Sequence, residues 1–140
     1  MDERTQLMFQ MEMLLRNVYR KLKNEVNKLY GDEITRNEFL ILKILGEQGQ
    51  KKTTDLSKYL EVSASHITAV TDSLLKKKWI TRTRSREDRR MIMIDITPLG
   101  KEMLKKYEQK KSAYIQKRLQ HLSNEELEKI IVLMKKMLKD

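Results

Sequence analysis

Residues 76–90 hold Lys76, Lys77, Lys78, Arg82, Arg84, Arg86, Arg89 and Arg90 against only Glu87 and Asp88, a net charge of +6 in a chain of 140 residues whose total is +10. Cations at this density favour a polyanion, because binding one releases its condensed counterions. The residues just upstream are of a different kind. Ser63, Ser65, His66, Thr68 and Ala69 are small or polar. Hydroxyls at such positions can bond bases or phosphates, and a methyl can meet the methyl of thymine. No spacing in the chain suggests catalysis: there is no glycine-rich phosphate loop, no Ser-His-Asp or Cys-His pairing, and no pair of acids lining a cleft. The chain is therefore read as no enzyme. With no cysteine and only His66 and His121 as histidines, neither a metal site nor a cofactor is expected.

The elements that must carry these residues follow from periodicity. Ile67, Val70 and Leu74 recur at three- and four-residue spacing, so they mark the inner face of a short helix that Ser63 can cap. At about 100° per residue, Ser65, Thr68, Ala69, Asp72, Ser73 and Lys76 then point outward, and the free N–H groups at Ser63 to His66 suit a phosphate. A shorter helix precedes it, starting at Thr53 or Thr54, running through Leu56 and Leu60 and breaking at Glu61-Val62. Two short helices joined by a tight turn make a helix-turn-helix. After Lys78 the period becomes two: Trp79–Arg84 is rich in β-branched residues, and Met91–Ile96 alternates with Ile92, Ile94 and Ile96 on one face. The polar stretch Ser85–Arg90 between them is the tip of a basic hairpin, a wing.

A helix narrow enough for the major groove, followed at once by such a hairpin, is suited to double-stranded DNA. In the wing, Arg90 is the candidate for a narrow minor groove, with Asp88 placed to hold its guanidinium. Arg84 and Arg86 are expected on phosphates, which position without specifying sequence.

Around this core the chain reads as helix. Leu7, Met11, Leu14, Leu15, Val18, Leu22, Val26 and Leu29 form one stripe that Gly31 ends. Thr35 and Glu38 are spaced as a capping box, flanked by Ile34 and Phe39 as a staple, and the helix they open runs through Leu45 to Gly46. Thr97-Pro98 starts another helix reaching about His121. Ser123 and Glu126 box a last one, whose stripe is Leu127, Ile130, Ile131, Met134, Met137 and Leu138. The terminal helices carry more apolar surface than one small winged helix covers, which points to a homodimer. Tyr30, Tyr107 and Tyr114 fit either an effector pocket or ordinary packing. No apolar run approaches the ~20 residues needed to span a bilayer, and MDERTQLMFQ lacks the pattern of a signal peptide, so no membrane partner and a cytoplasmic location are expected.

Residues Leu56 to Gly100 resemble the MarR family (multiple antibiotic resistance regulators). The resemblance is carried by Leu56, Leu60, Ser63, Ser65, Ile67-Thr68, Asp72-Ser73-Leu74, the Asp-x-Arg of Asp88 and Arg90, and Ile96-Thr97-Pro98-Leu99-Gly100 in place of Leu-Thr-x-x-Gly. It departs from the family at Lys78, where a glycine is usual, and at Ala69, where a larger or basic residue is frequent. The resemblance implies an obligate, triangular homodimer with intertwined first and last helices. It also implies a near-palindromic operator, repression, and in many members release by a small-molecule effector. The expected fold is mainly α (α+β): one domain over 1–140, with a winged helix-turn-helix at 34–97, a small antiparallel β-wing, and dimerisation helices at 1–33 and 98–140. Two other readings use the same basic surface: a non-specific architectural or RNA-binding protein, and a protein-interaction module that no longer reads DNA.

Overall fold

A computed structural model describes residues 1–140. It contains helices α1 (Glu3–Tyr30), α2 (Arg36–Gln48), α3 (Thr53–Leu60), α4 (Ala64–Lys76), α5 (Pro98–Arg118) and α6 (Asn124–Met137), with strands β1 (Lys51–Lys52), β2 (Ile80–Arg84) and β3 (Ile92–Ile96). The sheet is antiparallel in the order β1-β3-β2. The β2–β3 hairpin runs in register from Ile80 opposite Ile96 to Arg84 opposite Ile92. No helix is long and apolar enough to cross a membrane.

Most helix starts are decided by residues within three positions of the boundary. Thr35 and Ser123 each accept from the backbone N–H three residues on, while Glu38 and Glu126 reach back, so both capping boxes are formed. Ser63 caps α4, and Thr97 caps α5 with Pro98 at its first position. Ile34 and Phe39 are both buried beside the start of α2, as a staple requires. The exception is α3. Thr53 is its first residue, and neither threonine caps it, since Lys52 occupies the cap without a side-chain bond.

Three boundaries differ from the sequence reading. Helix α2 continues past Gly46 to Gln48 and ends at Gly49. Gly46 is exposed but lies where α5 approaches: a Cβ there would be 2.8 Å from Leu104 Cδ2. Helix α5 stops at Arg118 rather than His121, because Leu119 closes it and Leu122 N–H bonds the Leu119 carbonyl in a tight turn before Ser123. The third strand, β1, has only Lys51-Lys52, paired with Ile94 and Met93. A two-residue strand has no period to read.

The core lies under the winged helix-turn-helix. Phe39, Ile41, Leu42, Leu45, Leu56, Ile67, Leu74, Trp79, Ile80 and Ile94 meet Tyr30 from α1 and Leu104 and Tyr107 from α5. Tyr30 stacks on Phe39 and meets Tyr107 edge-on. Beyond this core the terminal helices are bare. Helix α6 buries no residue, and Leu7, Met11, Leu14, Leu15 and Val18 of α1 are exposed.

Candidate nucleic-acid interface

Both helices of the helix-turn-helix end on a non-glycine residue in the left-handed region, Glu61 (φ 55°) and Lys78 (φ 63°). Each costs roughly 1 kcal/mol relative to glycine, and a side-chain hydroxyl bonds the backbone at Lys78 and just after Glu61. Ser57 Oγ donates to the Val62 carbonyl at 2.7 Å, and Thr97 Oγ1 donates to the Lys78 carbonyl at 2.7 Å. At the second turn Lys78 N–H bonds Leu75 O and Trp79 N–H bonds Leu74 O. This is a Schellman pair that ends α4 and turns the chain into the wing. Lys78 therefore takes the conformation for which glycine is the usual choice.

Ser63, Ser65, His66, Thr68, Ala69 and Lys76 are all exposed on or beside α4. The Ser63 hydroxyl accepts from His66 N–H at 3.1 Å and lies 3.1 Å from Ser65 Oγ. Thr68 Oγ1 donates to the Ala64 carbonyl at 2.9 Å, leaving only its acceptor capacity for a ligand. His66 Nε2 lies 3.0 Å from the Asn37 side-chain nitrogen. The Asn37 amide N–H can donate to that ring nitrogen. Asn37 thus joins this surface from α2, 29 residues away, and no local pattern could have found it.

The inner face of α4 also differs in part from its sequence reading. Ile67, Thr71 and Leu74 are buried while Val70 is only half-buried. Thr71 bonds back to the Ile67 carbonyl at 2.8 Å, which satisfies its hydroxyl in the core. Ser73 and Asp72 are half-buried and each is already engaged. Ser73 Oγ donates to Glu38 Oε2 at 3.1 Å, and Asp72 accepts from Arg82 at 2.7 Å.

In the wing, Asp88 organises the tip. Its Oδ1 accepts from Arg90 N–H at 3.0 Å and from Arg90 Nε at 3.3 Å. The Asp88 carbonyl accepts from Met91 N–H, and Ser85 N–H bonds the Met91 carbonyl. Arg90 keeps its guanidinium outward, its side chain 93% exposed. Arg84 is exposed and donates through one guanidinium nitrogen to the Arg89 carbonyl at 2.9 Å, bracing the tip from the strand. Arg86 is exposed. Of the eight cations in 76–90, Lys77 and Arg82 are paired with carboxylates of α2 and α4, so the outward charge centres on Lys76, Lys78 and the wing tip.

The three tyrosines separate. Tyr107 is a core residue whose hydroxyl is pushed up to about 12 by burial and then by the Glu33 carboxylate beside it. Tyr30 also packs in the core, and its edge lines an open cleft of about 250 Å³ with Tyr19, Phe39, Arg36 and Lys111. Burial lowers the Lys111 ammonium, and Lys43 and Arg36 add to that. Tyr114 lies apart, at the far end of α5 with Glu25, Lys117, Arg118 and His121.

A model of the MarR family matches residues 34–92. The uncharacterized HTH-type transcriptional regulator YpoP of Bacillus subtilis is 51% identical over 137 residues, covering 98% of this chain and 97% of its own. The crystal structure of the transcriptional regulator BldR from Sulfolobus solfataricus superposes with a TM-score of 0.77 at 26% identity, covering 99% of this chain and 98% of that one. A mutant of MarR from E. coli complexed with operator DNA has the same fold, with a TM-score of 0.77 at 23% identity over 99% of this chain and all of that one. These relatives are transcriptional regulators rather than enzymes.

Proposed function

The chain belongs to the MarR family of transcriptional regulators, and on that premise we propose that it is a sequence-specific repressor that binds double-stranded DNA as a homodimer in the cytoplasm. The observation that carries this reading is the pairing of two surfaces. The small, polar, exposed face of α4, from Ser63 to Lys76, adjoins a wing whose Asp88 presents an outward Arg90. A helix with such a face suits a major groove, and an arginine-tipped hairpin suits the neighbouring minor groove. Ser65, His66, Thr68 and Ala69 are assigned to base edges or nearby phosphates, with Lys76 and Arg86 on phosphates. Arg84 is assigned to a phosphate as well, with one guanidinium nitrogen bracing the tip. The E. coli MarR mutant complexed with operator DNA, which shares this fold, supports the same class of partner.

The bare faces of α1 and α6 support the dimer and the division of the single domain 1–140 into helices at 1–33 and 98–140 around the DNA-binding part at 34–97. Leaving Ile130, Ile131, Leu133, Met134 and Met137 exposed on one helix is costly for a monomer, whereas a second copy would cover them. Two copies would present their α4 helices about 34 Å apart, one turn of DNA. An effector fits the cleft between α1, α2 and α5, where Tyr30 and Phe39 offer aromatic surface and Arg36 and Lys111 offer positive charge. It would act by binding one spacing of the two α4 helices better than another.

The test is selection of bound duplexes from a random pool, then titration of the enriched and scrambled sequences at two salt concentrations. A near-palindromic motif bound orders of magnitude more tightly is the expected result. Equal, strongly salt-dependent binding of both duplexes would instead mean a non-specific architectural protein.

A further inference from the structure

Two adjacent residues in the first turn of α2 hold α4 at three points. Asn37 meets His66, and the Glu38 carboxylate meets both Ser73 and Lys77. His66, Ser73 and Lys77 are spaced seven and four apart, which places them on one face of the helix. The Glu38 side chain is 4% exposed and that of Lys77 29%, so their 2.7 Å ion pair is largely withdrawn from water. Each of its groups has further partners. Glu38 Oε1 accepts from Thr35 N–H, and Lys77 Nζ donates to the Glu33 carbonyl at 2.7 Å and lies over the Trp79 ring. The Glu33 side chain is in turn bridged by Lys106 of α5 at 3.3 Å. Glu33 therefore joins α4 to the helix that continues into the bare C-terminal surface.

We propose that the Glu38–Lys77 pair is a positioning device: it fixes the direction of α4 relative to the turn between α1 and α2, so that the DNA-reading face follows the terminal helices. This rests on the reading of α4 as the recognition helix. An apolar contact at this site would hold the helices together, but it would tolerate sliding. A hydrogen-bonded ion pair with partners on both sides fixes one register, as polar groups in packed interfaces can. Lys77 thus acts through α4 and is kept off the phosphates by its two oxygen partners.

The experiment uses the full chain and three variants, Lys77→Met, Glu38→Gln and Lys77→Arg, each checked for folding by circular dichroism. Glu38→Gln can keep the capping box through its one amide oxygen, which turns the amide NH2 toward Ser73 and Lys77 and so removes both the charge and the acceptor of the pair. Binding is titrated on the duplex that the parent protein enriches from a random pool and on its scrambled counterpart. Lys77→Met lowers the net charge by one and Glu38→Gln raises it by one, yet both are expected to cut the enriched-to-scrambled affinity ratio by about tenfold, the worth of roughly one base contact. Lys77→Arg retains the pair and should stay within about twofold of the parent, well inside that loss.

The idea is overturned if the two charge changes act in opposite directions on both duplexes and Lys77→Met flattens the salt slope by about one, because Lys77 is then a phosphate contact. It is equally overturned if the variants melt lower but keep the parent's ratio, since the pair then serves stability alone. A parent that enriches no sequence would instead refute the proposed function itself. That failure is visible before any variant is compared.

Discussion

Arg90→Ala separates recognition from folding more cleanly than any other substitution in this chain. The Arg90–Asp88 pair is solvent-exposed, with side chains 93% and 40% accessible and a nitrogen–oxygen distance of 3.3 Å. A screened pair of this kind contributes about 0–1 kcal/mol to stability, so removing the guanidinium should leave the melting temperature within about 3 °C of the parent's. On DNA the same group would be desolvated in a narrow groove, and its loss should weaken specific binding by about 1–3 kcal/mol. That is a rise in Kd of about 5- to 150-fold. The log Kd–log salt slope should fall by about 0.9 for one lost phosphate neighbour. Asp88→Ala acts differently. It removes the acceptor that orders Arg90 N–H and Nε but also removes a negative charge from the wing tip. Specific binding should therefore weaken by less, about 1 kcal/mol, while the salt slope does not fall. Fluorescence anisotropy with the enriched duplex at 50 and 200 mM salt reads all of these quantities. If Arg90→Ala and Asp88→Ala both bind like the parent, the wing does not read DNA and the assignment of Arg90 is wrong.

Four further outcomes follow from the geometry. Gly100→Ala would place a Cβ 2.1 Å from the Trp79 carbonyl oxygen, which is itself bonded to Thr97 N–H at 3.0 Å; overpacking against backbone should cost about 3 kcal/mol, and thermal unfolding should show a drop of about 10 °C. Lys78→Gly relieves the positive φ of 63° while retaining the backbone bonds, so a gain of a few tenths to about 1 kcal/mol is expected in urea unfolding. Folding holds Tyr107 protonated, with its hydroxyl raised to about 12 from 10. The corresponding stability is therefore complete below about pH 10 and is lost as pH rises toward about 12; Tyr107→Phe should flatten the melting curve over that window relative to the parent. Removing residues 125–140 takes away nearly all of α6 and should yield a monomer by gel filtration with little operator affinity; a dimer that survives the cut would refute the terminal-helix interface.

Features legible in the sequence were those decided by neighbours. A serine or threonine three residues ahead of a free N–H can cap it, so the starts at Thr35, Ser63, Thr97 and Ser123 could be read directly, although the same signal at Thr53 and Thr54 caps nothing. Alternation at period two was enough to give the Ile92–Ile96 strand and the wing, and Asp88 lies only two residues from Arg90, so their contact is nearly local. The stripes of α1 and α6 were visible for the same reason, since a helix repeats every 3.6 residues whatever covers it.

Tertiary structure decided the contacts whose partners are distant in the chain. Ser73 looked solvent-facing by helical angle, but the first turn of α2 lies across it, so its hydroxyl meets Glu38 at a separation of 35 residues. Glu38 was readable as a capping residue because one oxygen serves Thr35. That its other oxygen anchors Lys77, 39 residues on, depends on where two helices cross. Gly46 looked like a stop and is a packing position, since only the approach of Leu104 reveals why a side chain is unwelcome there. Sequence patterns report the periodicity and capping of one element at a time. The angle at which elements meet is set by the summed fit of side chains from both, and no single segment contains that information.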